Sequence, residues 1–142
     1  MNSPGIYSLT QKDGASDLAI GGAGTTICDV IDDLEGMLGA TLSARLAYGS
    51  GGTAVKVFIQ TSLDQGQTWI DIACIAFTTA SEHQVVNLSG LTPKTTPATP
   101  GDGALTDDTC VDGILGDRLR AKVVSTGTYV GSTVLSVRAA VR

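Results

Sequence analysis

The chain has 142 residues with a formal net charge of −5 and a pI near 4.5, a length that suits one domain with its own core. Because it is acidic and only 4% aromatic, we expect no nucleic-acid partner. No run of about 20 apolar residues indicates a membrane partner, and the N-terminus lacks a secretion signal, so we expect synthesis in the cytoplasm.

The abundance of glycine and the shortage of charged residues predict an all-β chain with many turns. Residues 1–16 are predicted to form an extended N-terminal arm, interrupted by Pro4-Gly5 and Asp13-Gly14, and residues 17–142 a single β-sandwich domain. Eight strands are predicted, at about 17–20, 25–31, 40–48, 53–61, 69–77, 83–88, 118–126 and 133–141. A helix is not expected, because Gly36 and Gly39 interrupt the one candidate segment.

A short motif lies between the fourth and fifth predicted strands. Residues 62–69 match the Asp-box pattern Ser-x-Asp-x-Gly-x-Thr-Trp, and the matching positions are Ser62, Asp64, Gly66, Thr68 and Trp69. In such a hairpin the Asp accepts backbone N–H bonds across the turn, the Gly adopts a positive φ and the Trp folds into the core. The motif therefore predicts a β-hairpin and no catalytic activity.

The strands of this hairpin alternate in polarity. On the first, Val55, Val57 and Ile59 share an apolar face. On the second, the residues predicted to lie on the more buried face are Ile70, Ile72, Cys74 and Ala76. This alternation is typical of an antiparallel sheet that packs on one face.

No cofactor or metal site is predicted from the cysteines and the histidine. Cys28, Cys74 and Cys110 are widely spaced without a CxxC motif, and His83 is the single histidine. We expect buried free thiols and a surface histidine, with one disulfide left open.

A long loop is predicted at residues 89–109, and Pro93 and Pro97 within it are candidates for contact with a partner. Five aspartates in or after this loop suggest calcium, but their spacing matches no EF-hand loop: Asp102, Asp107, Asp108, Asp112 and Asp117.

The C-terminal segment is basic. Arg118, Arg120 and Lys122 occupy alternate positions, so a strand places them on one face and Leu119, Ala121 and Val123 on the other. These three basic residues are a second candidate contact with a partner. The glycine-bounded run 127–131 is predicted to join the last two strands as a hairpin.

The predicted strands favour an antiparallel two-sheet sandwich, most simply a jelly roll, with an immunoglobulin-like sandwich as the alternative. The single Asp-box argues against a β-propeller and against sialidases, which carry several copies. No P-loop, Gly-x-Ser-x-Gly or dinucleotide motif is present, so an enzyme is not expected.

Residues 57–73 and 77–80, which include the Asp-box, resemble a segment of small structural proteins of tailed-bacteriophage virions. The resemblance covers about 25 residues. It implies a capsid decoration or cement protein on the capsid surface of the virion. Its partners would be the major capsid protein and further copies of itself, as a dimer or trimer. Under this hypothesis the N-terminal arm, with Pro4 and Tyr7, is a further candidate contact.

Two other functions remain open. One is a tail, neck or fibre-associated protein of the same virion. The other is a carbohydrate-binding β-sandwich module, although one Trp and three Tyr offer few rings for a sugar-stacking platform.

Overall fold

A computed structural model of the protein describes residues 4–142. All of its regular secondary structure is β. The strands are β1 (Gly5–Ser8), β2 (Leu18–Ala19), β3 (Gly24–Ile27), β4 (Gly39–Ala47), β5 (Ser50–Gly51), β6 (Ala54–Thr61), β7 (Ile70–Phe77), β8 (Glu82–Ser89), β9 (Thr109–Cys110), β10 (Leu119–Thr126), β11 (Tyr129–Val130) and β12 (Val134–Val141). Among these described residues no helix is long and apolar enough to cross a membrane.

The strands form two antiparallel five-stranded sheets. The first sheet has the order β1-β12-β4-β8, with β2 also paired to β12, and the second has the order β3-β10-β6-β7-β9. The pairs β6–β7, β4–β8, β3–β10 and β1–β12 are nested about the β6–β7 hairpin. The prediction of an all-β antiparallel sandwich is confirmed.

One apolar core joins the two sheets, and alternation of buried and more exposed residues along β4, β10 and β12 contributes much of it. On β12, Leu135, Val137, Ala139 and Val141 are buried, while the intervening residues are half-buried on the outer face. Leu42 and Ala44 on β4 belong to the same core cluster as Val57 and Ile59 on β6. Burial of these β-branched and aliphatic side chains provides the main stabilisation of the sandwich.

The predicted buried face of β7 is wrong, and a β-bulge explains the error. Ile59 pairs with Ala73 but Gln60 pairs with Asp71, so Ile72 is an extra residue. The register shift turns Ala73, Ile75 and Phe77 toward the core instead of Cys74 and Ala76, and Ile72 is buried as well.

The predicted C-terminal hairpin is also wrong. β10 belongs to the second sheet and β12 to the first, so residues 127–133 cross between sheets. The link from β4 to β6 crosses in the same way. The two crossings pair with each other through β5 and β11.

The N-terminal segment differs from the predicted extended arm. β1 pairs with β12, Leu9 and Thr10 are completely buried, and the Leu9 N–H donates to the Val137 carbonyl at 2.9 Å. Residues 5–10 are therefore part of the first sheet and its core. Tyr7 is half-buried against that core and Pro4 is exposed, while residues 1–3 of the predicted arm lie outside the described residues.

Candidate functional site: the covered face of the second sheet

A long segment between β8 and β10, residues 90–117, packs on the outer face of the second sheet, and we call it the covering loop. It contains β9 and no other strand. Phe58 lies outside the core cluster, yet it is only 4% exposed. Its cross-strand neighbours Cys74 and Lys122 contact Asp107 and Asp102 of the covering loop. In most sandwiches the outer face of a sheet is exposed to solvent. Here the covering loop and the sheet form a layer of polar contacts on that face.

The Asp-box turn lies at one end of this face. The Asp64 carboxylate accepts hydrogen bonds from the Thr68 N–H at 2.8 Å and the Thr68 hydroxyl at 2.6 Å. The Ser62 hydroxyl donates to Asp64 at 2.9 Å and accepts from the Gly66 N–H at 2.8 Å. Gly66 has a φ of 88°, as the motif requires. The hydrogen bonds from Thr68 lower the pKa of Asp64.

Trp69 does not enter the core, contrary to the prediction. It lies half-buried at the start of β7, and the Arg120 guanidinium is 4.3 Å from its ring centroid. The same guanidinium donates to the Gln60 side-chain oxygen at 2.7 Å. Arg120 therefore holds the ring and a buried amide on the outer face, through a cation–π contact and a charged hydrogen bond.

The predicted alternation of β10 agrees with the structure, but its basic face is not free. Leu119, Ala121 and Val123 are buried in the core. Arg118, just before β10, lies on the opposite face with Arg120 and Lys122, and we call these three residues the basic row of β10. The covering loop provides acidic and carbonyl partners for them. The basic residues thus form a contact within the chain, although the sequence suggests them as a contact with a partner.

Arg118 and Lys122, at the two ends of the basic row, each bind different acceptors. Arg118 donates to Asp117 at 3.0 Å and to the Gln65 carbonyl of the Asp-box turn at 3.1 Å. Lys122 lies 3.1 Å from Asp102. A hydrogen bond from Gln60 and the pairing with Lys122 lower the pKa of Asp102, against the opposing effect of desolvation. This pairing therefore stabilises the fold above the unfolded pKa of about 3.9 and is lost as the pH falls through the lower folded value.

Asp71 is the main anchor of the covering loop, and it was not predicted. It is 3% exposed, on the outer face of β7. Its carboxylate accepts hydrogen bonds of 2.8–3.2 Å from the side chain of Gln60 and the backbone N–H groups of Gly103, Ala104 and Leu105. Its own N–H donates to the Gly101 carbonyl at 2.8 Å. The signal for it was a lone acid in an otherwise apolar strand, Ile70 to Phe77.

Other aspartates of the loop attach it elsewhere. Asp112 accepts from the Ser89 N–H at 2.5 Å and the Thr92 hydroxyl at 2.8 Å. Asp107 pairs with Lys56 at 2.9 Å, and Asp108 accepts from the backbone N–H of Ala76 at 3.1 Å. The five aspartates considered for calcium thus each have a partner in the chain. The described residues contain no group of three or more potential metal ligands.

A largely apolar cavity of about 860 Å³ lies between the covering loop and the Asp-box end of the sheet. Its walls include Leu63, Ile70, Pro97, Leu105 and Ile114, and none of its lining residues is aromatic. Residues 91–100, which include Pro93 and Pro97, are all exposed. A cavity of this size and lining accommodates an apolar ligand or chain segment.

The cysteines and the histidine lie apart from this cavity. Cys28 and Cys74 are buried, Cys110 is exposed, and all three are free thiols. Burial raises the pKa values of Cys28 and Cys74 to about 11, which disfavours the nucleophilic thiolate. His83 is exposed on the first sheet, with its ring nitrogen 2.8 Å from the Ser43 hydroxyl.

The structure therefore brings three features of the sequence to one face: the Asp-box, the basic row of β10 and the proline-containing loop. Pro4 and Tyr7 are not part of it, since β1 lies at the edge of the first sheet. No protein-family model and no curated protein sequence matches the chain.

Replacement of Arg120 by methionine is expected to lower the free energy of unfolding by about 2 kcal/mol. Methionine keeps most of the apolar stem, but the completely buried Gln60 loses the donor to its side-chain oxygen. Urea denaturation followed by Trp69 fluorescence measures the change. Arg45→Met is the matched control, because Arg45 is exposed on the first sheet, and its effect should stay within about 0.5 kcal/mol. Equal effects of the two variants would contradict the role of Arg120.

Proposed function

We propose that the protein is a non-enzymatic structural protein of a tailed-bacteriophage virion that binds the capsid shell and stabilises it. The observation that carries the proposal is an anchored loop that presents ten exposed residues, 91–100, beside an apolar cavity. The resemblance of residues 57–73 and 77–80 to virion structural proteins supports the choice of partner.

We further infer that the sandwich is a jelly roll. Eight of its strands make four nested antiparallel pairs, split between two sheets, which is the order expected when two Greek keys fold over each other. In an immunoglobulin-like sandwich the last two strands share a sheet, whereas β10 and β12 lie in different sheets. The strand order therefore favours the jelly roll over that alternative.

The proposed contact is between the covering loop and an apolar segment of the major capsid protein. Leu63 at the cavity wall is 63% exposed and Leu91 at the start of the loop is 70% exposed. Apolar side chains in such positions gain free energy when a partner removes them from water. Because the anchors at Asp71 and Asp112 fix the loop in advance, little ordering entropy is lost on binding.

Stabilisation of the shell would follow from mass action. A protein that binds the assembled lattice and not the dissociated subunits adds its binding free energy to the stability of the lattice. Many copies on one shell make even a modest affinity per copy effective. This mechanism needs no catalytic group.

A carbohydrate-binding function is less well supported by the aromatic residues. Arg120 covers the Trp69 ring, and Tyr129 is 2% exposed in the core. Tyr7 and Tyr48 are half-buried against the same core. A sugar-stacking platform needs accessible ring faces, and these four rings are otherwise engaged.

The proposal predicts that the purified protein co-sediments with capsid shells that lack it, and that Leu63→Lys weakens this binding at least tenfold without lowering the melting temperature. The physical reason is that a lysine at the cavity wall leaves a charge to desolvate when the partner binds. Val130→Lys is the matched control, because Val130 is also an exposed apolar residue, on β11.

The outcomes separate the parts of the proposal. If both variants bind shells as well as the natural protein does, the contact surface is elsewhere. If the natural protein ignores shells and binds purified tails, the protein belongs to the tail. Binding to a glycan array, with none to either particle, would favour the carbohydrate-binding module.

A further inference from the structure

Among residues 4–142, the longest sheet edge without a partner strand is β8. It ends the first sheet and has eight residues, whereas the other terminal strands β1, β3 and β9 have four, four and two. The outer side of β12 is occupied by both β1 and β2. A long unpaired edge presents a row of backbone donors and acceptors to solvent and to other chains.

The direction of these backbone groups follows from the contacts at the end of β8. The Ser89 N–H donates to Asp112 and the Ser89 carbonyl accepts from the Gly113 N–H at 2.8 Å, on the covering loop. The next residue, Gly90, donates to the Leu38 carbonyl beside β4. Because alternate residues of an antiparallel strand direct both groups to the same side, His83, Val85 and Asn87 direct theirs away from β4.

The side chains of β8 do not protect this edge. Natural edge strands carry lysine, proline or a bulge that prevents pairing with another chain. β8 has no lysine, arginine, proline or glycine, and its pairing with β4 runs without a register shift. Val85 at its middle is 61% exposed. The covering loop forms hydrogen bonds with β8 at Ser89, and its residues Asp108, Thr109 and Cys110 line a pocket of about 190 Å³ beside Gln84, Val85 and Val86.

We infer that β8 pairs antiparallel with β8 of a second copy, about a two-fold axis through Val85. In this register Val85 lies opposite Val85, and His83 lies opposite Asn87 of the second copy. All three residues have outward backbone groups, so each opposed pair exchanges two hydrogen bonds. The first sheets of the two copies then form one continuous sheet.

The charges of β8 fit this register. Glu82 is the one acid of the strand and lies at its start. The two-fold axis places it opposite Leu88 of the second copy, so the two glutamates are about 20 Å apart along the seam. A homodimer of this kind has an isologous interface, as most protein dimers do. The inference concerns self-association alone and holds whether or not the protein binds a capsid.

The test combines the solution mass with a symmetric crosslink, in a Cys110→Ser background that removes the exposed thiol. Light scattering after size-exclusion chromatography is expected to give the mass of a dimer. Val85→Cys should then form a disulfide-linked dimer on mild oxidation, because the Cα atoms of such a pair are about 5.5 Å apart. Asn87→Cys is the matched control, since residue 87 faces His83 of the second copy and should give little crosslinking.

A charge at the axis provides the second variant. Val85→Lys should weaken dimerisation at least tenfold, because two ammonium groups meet across the seam. Thr41→Lys adds the same charge to the outer face of the central strand β4 and should leave the dimer intact. A monomer or a trimer of the natural chain would overturn the inference. So would a dimer that Val85→Lys leaves unchanged, or equal crosslinking at positions 85 and 87.

Discussion

Replacement of Asp71 by asparagine is expected to lower the free energy of unfolding by about 3 kcal/mol and to detach the covering loop from the sheet. The carboxylate is 3% exposed and accepts from Gln60 and from three backbone N–H groups at residues 103–105. An amide of the same shape has no charge and turns its own donors toward some of these N–H groups. Buried donors that lose a charged acceptor are among the most costly defects in a folded protein.

Two measurements distinguish this effect from a general loss of stability. Urea denaturation gives the change in free energy, and the rate of trypsin cleavage at Lys94 reports local opening of the loop. Asp107→Asn is the matched control, because it removes the same charge from the same loop at an exposed ion pair with Lys56. The control should change stability by less than about 1 kcal/mol and leave the cleavage rate unaltered. Similar behaviour of both variants would show that Asp71 does not anchor the loop.

The elements that the sequence predicts well are those whose signal is local. The eight predicted strands all correspond to strands of the structure, because alternation of apolar and polar residues is set within one strand. The Asp-box lies on the turn between β6 and β7, since its hydrogen bonds join residues at most four apart. The faces of β10 follow from the same alternation.

The elements that the sequence does not predict depend on contacts between distant residues. The bulge at Ile72 requires β6 and β7 to be read together, and it inverts the expected faces of β7. The glycine-rich links do not indicate whether the next strand stays in the same sheet. From the sequence alone, Asp71 and the basic row of β10 are expected to face solvent. The part of the covering loop that binds Asp71 lies about 30 residues further along the chain, so its contact cannot be read from the local pattern.

The crossings between the sheets also depend on distant contacts, because Gly52 and Tyr129 meet where the two links pair. Gly52 has a φ of 73°, and a Cβ atom built there would lie 2.3 Å from the Tyr129 ring. The ring is buried, its hydroxyl donates to the Thr78 carbonyl at 2.7 Å, and it lies edge-on to Tyr48 with centroids 6.1 Å apart. The ring therefore cannot move aside without loss of these contacts.

Replacement of Gly52 by alanine is accordingly expected to lower the free energy of unfolding by about 3 to 4 kcal/mol, measured by urea denaturation. About 1 kcal/mol of this reflects the positive φ, and the remainder reflects overpacking against Tyr129. Gly36→Ala separates the two causes, because Gly36 has a φ of 83° with no atom within 4 Å of its added Cβ. Gly36→Ala should therefore lower the free energy of unfolding only by the part that comes from the positive φ. If both alanine variants are equally stable, the close packing of Tyr129 on Gly52 does not limit the crossing, and the two links are held by the β5–β11 pairing alone.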